Sequence, residues 1–574
     1  MKCIVMIRKA VFGIIWWCMA LNLGYLFIAS IFSTSCLGSV ENMSAADAGT
    51  LLVNSEHTFY IRDHWWGHLI VFVVFTAIVS LYHKAFGITG REKKHNRDTK
   101  QSALVLSIAF VLMLLIITLC DFYPKTDQKH IMELAGEFLH HNYSSLNAGE
   151  YLDKFPQQYG ILFFYMALSR IFGCNNYIAF EIVNAVLIAL TYWVFSGTAS
   201  KLIPDLPAIN TAIWSIIFIP YLFYSLLVYG TVVGLFLSCC SIALICRYVE
   251  NNHLVFLIAS ALFIAIAVVL KSNYSIFFIA EAIYLLFLPR SSKKIVHGIS
   301  WCACTILVLV SITAGIHQYI KVVNDGILPS GVPKVAWIAM GLQDGKNAPG
   351  WYNGFNTAVY ENSNYDTGVA EETSRKSIQK SLRNFSINKT DFITFMAKKI
   401  QSQWNNPTFQ VLWELEGEAG HMDWLVTGRG RFFFTEYCNF ILSFVYGFAL
   451  YYWITETKTK NWSEILCPLF FLGGFTFHLF WEAQCLYAMP YMIMLLPMSG
   501  KGIQRYSQKL TQRRNYLHMG TICVTVAMVV LISYTKPFQK IFARNDDDHL
   551  FNTYSQNIVN SDKMCFPQSV RNSK

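Results

Sequence analysis

Apolar residues run through this chain in blocks too continuous for the alternation of a membrane barrel and too long for buried strands. Thirteen blocks qualify as candidate spans: 10–33, 67–87, 102–120, 177–198, 208–224, 229–247, 254–270, 273–289, 296–320, 435–453, 463–480, 485–499 and 516–534. Each approaches the roughly 20 residues that cross a hydrocarbon core, some falling a little short. Between them the polar positions predict surface helices. After Asp127, residues Ile131, Leu134, Ala135, Phe138 and Leu139 recur at helical spacing and form one stripe. That stripe predicts a helix lying on the membrane with Glu133 and Glu137 turned away.

Composition agrees with the pattern. Of 574 residues, 54% are hydrophobic and only 14% charged, which predicts an all-α polytopic membrane protein. The net charge of +10 could suggest nucleic acid, but the basic residues sit in short loops between spans. They therefore read as topology signals, and no nucleic-acid partner is expected. The fifteen cysteines scatter through apolar runs without zinc-ligand spacing. The N-terminal block lacks a clear cleavage site and reads as an uncleaved first span.

The basic loops Lys84–Lys100, Arg290–Lys294, Lys458–Lys460 and Lys501–Arg514 belong in the cytoplasm by the positive-inside rule. This holds only if the apolar stretch Tyr159–Phe172 does not cross, so it is expected to lie at the outer surface or to be re-entrant. The result is a multi-pass protein of the cell membrane with about 13 crossings, N-terminus cytoplasmic and C-terminus extracytoplasmic. The expected parts are N-terminal spans with a basic loop (1–101) and a membrane core (102–320) carrying the first outer loop (121–176). A large outer segment (321–434), C-terminal spans (435–534) and an outer tail (535–574) follow. Arg429 and Arg431 then face outward, against the trend. The segment 321–434 is longer than a connection requires and is expected to be functional.

Two stretches of the first outer loop carry a resemblance. "TDQKHIMELAGEFL" (126–139) and "YLDKFPQQYGILFFYMALSRIFG" (151–173) resemble the first outer loop of the polyprenyl-phosphate-sugar glycosyltransferases. These are GT-C fold enzymes that include protein O-mannosyltransferases and lipid A aminoarabinose transferases. In them an acidic residue opens a surface helix, and a second helix follows a Lys-Pro-type turn and ends in Phe-Gly. Here Asp127 takes the acid position, Pro156 opens the second helix and Phe172-Gly173 closes it. The basic residue of the turn would be Lys154, displaced by the intervening Phe155. The match covers roughly residues 121–200. Further on, "VVLKSNYSIFFIAEAI" (268–283), "WIAMGLQ" (337–343) and "GGFTFHLFWEAQCLYAMPY" (473–491) look like segments of Gram-positive bacterial members. Two spans precede the Asp127 loop where the better-known relatives have one.

The resemblance implies an inverting transfer of sugar from a polyprenyl-phosphate donor to a cell-envelope acceptor, whether polysaccharide, teichoic acid, lipid or protein. A phosphate leaves well as an anion, so one carboxylate suffices to orient or deprotonate the acceptor hydroxyl. Asp127 is the first candidate and Asp121 the second, with a helix N-cap the alternative role for Asp127. The leaving phosphate needs cations or N–H donors, and Lys154, Lys271 and His478 are the candidates. Snorkelling at a span end is the alternative for Lys271. In the matching segments Gln157, Tyr159, Trp337, Trp481 and Glu482 are the candidates for substrate binding. An interfacial aromatic belt is the alternative for His478, Trp481 and Glu482. The aromatic turns "APGWYNGFN" (348–356) and "QSQWNNP" (401–407) read as packing plugs ahead of sugar platforms. No ligand spacing specifies a metal and no cofactor is expected, although a divalent ion is left open. The competing reading is a transporter or flippase of lipid-linked intermediates, which would place polar residues or helix breaks in mid-span.

Overall fold

The structure, a computed structural model, describes residues 2–39, 56–86, 94–287, 292–345, 348–455 and 461–511. In chain order it contains α1 (Lys2–Phe32), β1 (Ser33–Ser39), β2 (Glu56–Arg62), α2 (Trp65–Phe86), α3 (Lys94–Cys120), α4 (Thr126–Leu139), α5 (Tyr159–Phe172) and α6 (Tyr177–Leu202). A bent pair, α7 (Ala208–Ile217) and α8 (Pro220–Leu226), follows. Then come α9 (Gly230–Asn251), α10 (Leu254–Leu270), α11 (Ser275–Phe287), α12 (Ser292–Val323), α13 (Lys334–Gly341), α14 (Thr367–Ile387), α15 (Lys389–Trp404), α16 (Gly428–Thr455), α17 (Leu466–Phe480) and α18 (Met489–Thr511). Twelve of the thirteen candidate spans coincide with helices; the last, 516–534, and the tail 535–574 lie outside the described residues.

Among the described residues seven helices are long and apolar enough to cross a membrane, eight if the bent pair counts as one, and three shorter apolar helices accompany them. This is an all-α polytopic membrane protein. The candidate span 208–224 is not straight: α7 and α8 meet at 69°. Pro220, at the first turn of α8, lacks the N–H that would continue the ladder, and Phe218 before it leaves the helical region.

Contacts sort the helices into two ends. At one end Lys201 pairs with Glu250 at 2.7 Å, and Lys501 donates to the Pro204 carbonyl. There too the Asp98 carboxylate accepts from the backbone N–H groups of Ala208 and Ile209, which open α7. At the other end the segments 121–176 and 321–434 meet. Gln128 of α4 donates to Glu414 and accepts from the N–H of Val228, and Lys154 pairs with Glu361 at 2.7 Å. The long segment is folded into this end, with Trp404 and Phe409 buried in the main core. Arg431, the outward-facing cation of the topology reading, is buried and paired with Glu416 at 2.7 Å.

Two features differ from expectation. A hairpin of β1 and β2 pairs antiparallel from Ser33↔Arg62 to Ser39↔Glu56, and the Ser35 N–H donates to Asn405 O. Its first strand, "STSCLGS", follows an apolar run directly and shows no alternation, so nothing in the pattern separates it from the span. The stripe on α4 does not lie on lipid: Ile131, Leu134, Ala135 and Phe138 are buried in a cluster with Ile161, Leu162 and Tyr165 of α5. A helical stripe reports burial and not what does the burying. The 14 residues of α5 reach about 21 Å, short of the roughly 30 Å hydrocarbon core, so it cannot cross unaided.

α5 approaches α10 closely at Gly160, where an added Cβ would stand 1.9 Å from the Val269 carbonyl oxygen. Backbone cannot yield as a side-chain tip can. Gly160→Ala is therefore expected to cost at least about 1 kcal/mol by overpacking. A thermal-unfolding comparison in one detergent checks it; an unchanged midpoint would mean that α5 can shift freely.

Candidate active site

The site lies at the end of the bundle where the first outer loop meets the ends of α9, α10 and α17. Its acid is Asp127, in the first turn of α4. The residue preceding the helix is Lys125 and no side chain caps it, so Asp127 is not an N-cap. Its side chain reaches solvent while protein closes densely around it, which places it in a recess. Burial raises its carboxyl above the usual carboxylate range, against the opposing influence of Tyr151, His130 and Lys271. The helix dipole favours the anion, but desolvation outweighs what opposes it. Tyr151 faces the carboxylate without closing a hydrogen bond of ordinary geometry, and its ring stacks on His130 at 5.1 Å.

Opposite stands Lys271, the residue that ends α10. Its ammonium donates to Thr231 at 2.9 Å and sits over the rings of Tyr229 at 4.2 Å and Tyr487 at 5.4 Å. Burial lowers Lys271 from 10.5 to about 7, and Asp127 opposes that shift. A snorkelling lysine would extend toward water; this one is turned inward onto two aromatic faces. Tyr229 in turn accepts from Gln158, which ties the cation's floor to the turn before α5.

A third wall comes from α17 and the chain after it. His478 is buried, its ring stacks on Tyr487 at 5.7 Å, and its Nδ1 lies 3.3 Å from the Glu482 carbonyl. Its Nε2 has no hydrogen-bond partner among the described residues. Glu482 is buried and acts electrostatically on Tyr229 and on Lys399. Trp481 stacks parallel to Trp337 at 5.9 Å, and Phe155 lies against Trp337. Lys399 holds this wall: its ammonium donates to the carbonyls of Gly341, Leu479 and Trp481, the last at 2.7 Å. Burial lowers Lys399 to about 7, opposed by Glu482.

Of the sequence candidates, the structure gathers Asp127, Lys271, His478 and Glu482 around Tyr229 and Tyr487, with the Trp337–Trp481 pair attached through Lys399. The others sit elsewhere or are engaged. Asp121 accepts from the Tyr177 hydroxyl at 3.1 Å, in the left-handed region that ends α3. Lys154 is paired with Glu361 and joins the turn to the long segment. Gln157 is exposed, and its neighbour Gln158 makes the inward contact. Tyr159 is a core residue whose hydroxyl donates to the Leu152 carbonyl. Trp351 and Trp404 are buried plugs, as their turn context predicted.

Sequence reasoning passed over Tyr151, Tyr229, Tyr487, Gln158 and Lys399. Tyr229 carried a faint signal, an aromatic next to Gly-Thr at the start of an apolar block. Lys399 carried none, since "AKKIQ" reads as an ordinary charged loop. Among the described residues no group of three or more His, Cys, Asp or Glu could hold a metal ion.

No protein-family model matches the chain, and no curated protein matches it. Among solved structures it is similar to the oligosaccharyltransferase of Archaeoglobus fulgidus in the apo form. That match has 12% identity over 79% of this chain and 56% of that one, with a TM-score of 0.39. It is also similar to the archaeal oligosaccharyltransferase AglB from Archaeoglobus fulgidus in complex with an inhibitory peptide and a dolichol-phosphate. There the identity is 11% over 80% of this chain and 56% of that one, again with a TM-score of 0.39. The chain thus spans little more than half the length of these structures.

Proposed function

We propose that the chain is a GT-C-type glycosyltransferase that moves a sugar from a polyprenyl-phosphate donor to a cell-envelope acceptor, with inversion, on the extracytoplasmic face. The observation that carries this reading is the Asp127 carboxylate standing in a recess opposite the Lys271 ammonium on its two tyrosine rings. The acceptor hydroxyl attacks the anomeric carbon, and its proton passes to Asp127 as the new C–O bond forms. The bond from that carbon to the phosphate oxygen breaks, and the electron pair leaves with the polyprenyl phosphate. A carboxyl raised by burial suits a proton acceptor, because its basicity moves toward neutrality. Lys271 receives the leaving charge, and the tyrosine hydroxyls and the His478 ring supply further polar contacts nearby.

The transporter reading asks for polar groups in mid-span that face a path. Glu281 of α11 does lie within the bundle, but it is fully enclosed. It accepts from Ser241, which in turn contacts Ser260.

The test is sugar transfer by purified protein in vesicles supplied with polyprenyl-phosphate sugars, together with the envelope glycan composition of cells with and without the protein. Unchanged glycans and unchanged lipid-linked sugar pools would reject the reading. The proposed orientation puts the N-terminus in the cytoplasm and the site outside. In a cysteine-free background, Asn142→Cys and Asn364→Cys, both exposed at the site end, are expected to react with an impermeant reagent in intact cells. Asn252→Cys, exposed between α9 and α10, reacts only after permeabilisation. The reverse pattern would invert the protein and remove the site from the outer face.

A further inference from the structure

α14 and α15 form a helical hairpin whose tip is exposed from Leu382 to Ile393 apart from the half-buried Phe385. The tip carries exposed apolar side chains: Leu382 is 52% exposed, Ile387 76%, Phe392 41% and Ile393 57%. The fold is not loose there, because the Phe385 ring packs against Phe392 at 5.3 Å and Phe395 at 4.9 Å, which holds the two helices together. Around the apolar tip stand Lys380, Arg383 and Lys389, none of them in an ion pair among the described residues, whereas Arg375 and Lys376 are paired with Glu371 and Glu372 one turn earlier.

The height of this hairpin relative to the spans can be read from α1. The Tyr25 hydroxyl donates to the Ala397 carbonyl of α15 and accepts from Gln401. Tyr25 lies seven residues before the end of α1, so α15 crosses α1 about 10 Å short of that end. α1 stands on the rim of the bundle, with Ile14, Trp17 and Leu21 all more than 60% exposed. One turn of α15 beyond this crossing are Phe392 and Ile393. The hairpin therefore leaves the bundle beside a lipid-facing span, near the level where hydrocarbon gives way to headgroups.

We propose that the α14–α15 tip is a membrane-surface anchor: Leu382, Ile387, Phe392 and Ile393 enter the bilayer boundary, and Lys380, Arg383 and Lys389 bind anionic lipid headgroups. Apolar residues flanked by cations are the chemistry of an interfacial helix, where buried apolar area and attraction to acidic lipids act together. This does not depend on what the site transfers. It also gives the long segment a second attachment, since α15 is the helix that carries Lys399 into the site wall.

A benzophenone amino acid placed at 393, and separately at 382, in the full chain tests the proposal. The protein is reconstituted in vesicles of equal parts phosphatidylglycerol and phosphatidylcholine, irradiated and analysed by mass spectrometry. Lipid adducts are expected at both positions, with phosphatidylglycerol favoured about fivefold, the scale of one cation at a charged surface. Lys380→Gln, Arg383→Gln and Lys389→Gln together should abolish that preference and leave the adducts. Monodisperse protein that gives no lipid adducts, or crosslinks only to another chain, overturns the proposal. Equal labelling of the two lipids overturns it as well, since the cations would then have no headgroup to bind.

Discussion

Purified Asp127→Asn protein is expected to insert and fold normally and to transfer sugar about 10²-fold more slowly than the unaltered protein, the usual scale for losing a general base. The substitution keeps size and hydrogen-bonding capacity and removes only the ability to take a proton and carry charge. The fold should tolerate it, because Asp127 caps nothing and its side chain opens to solvent. Lys271 loses its facing anion, so weaker donor retention is a secondary effect, which saturating donor separates from the rate. Asp121→Asn should be milder, since Asp121 is engaged with Tyr177 at the end of α3. Transfer by the Asp127 variant at the unaltered rate would dismiss the carboxylate as the base.

Lys271→Met is expected to weaken donor binding about ten- to a hundredfold, the cost of removing one charged hydrogen-bond partner of a phosphate, roughly 1.5–3 kcal/mol. Methionine retains much of the apolar stem over Tyr229 and Tyr487, so packing should survive. The pH dependence supplies an independent check. A lysine lowered to about 7 is protonated below that pH and neutral above it. A phosphodiester donor does not titrate in this range, so affinity should fall about tenfold per pH unit above 7 until the bound form's own pKa is reached. Stability runs the other way. Between about 7 and 10.5 the unfolded chain binds the proton that the folded chain has released, so this group's contribution rises with pH across that window. In Lys271→Met the pH dependence of donor binding should vanish with the affinity. A pH-independent affinity in the unaltered protein would place the phosphate elsewhere.

How far these features could be read in the sequence follows from the kind of signal each one leaves. Continuous apolar runs mark spans whatever their neighbours, and so twelve blocks became helices. Asp127 was legible through the resemblance of its loop, and Lys271 because a cation at a span end is costly enough to demand a reason. The rest of the site is assembled from single residues brought together by long-range packing. Tyr229 and Tyr487 are 258 positions apart in the chain, yet both lie under one ammonium. Gln157 and Gln158 differ only in phase. Both belong to one turn, and only its docking on Tyr229 decides which of them points inward. Lys154 matched the resemblance in type, one residue out of place, but Glu361, supplied from about two hundred residues away, takes up its charge.

The triple attachment of Lys399 has a mechanical consequence. One ammonium joins α13, through Gly341, to the end of α17, through Leu479 and Trp481, and does so from α15. While the ammonium is protonated each of these bonds contributes roughly 1.5–3 kcal/mol, and above its pKa of about 7 the neutral amine can donate only two of them. α13, α15 and the α17 end therefore behave as one plate. The opposite jaw, α4 and α5, is held by side chains as well, Gln128 on Glu414 and Gln158 on Tyr229, and meets α10 at the close-packed Gly160.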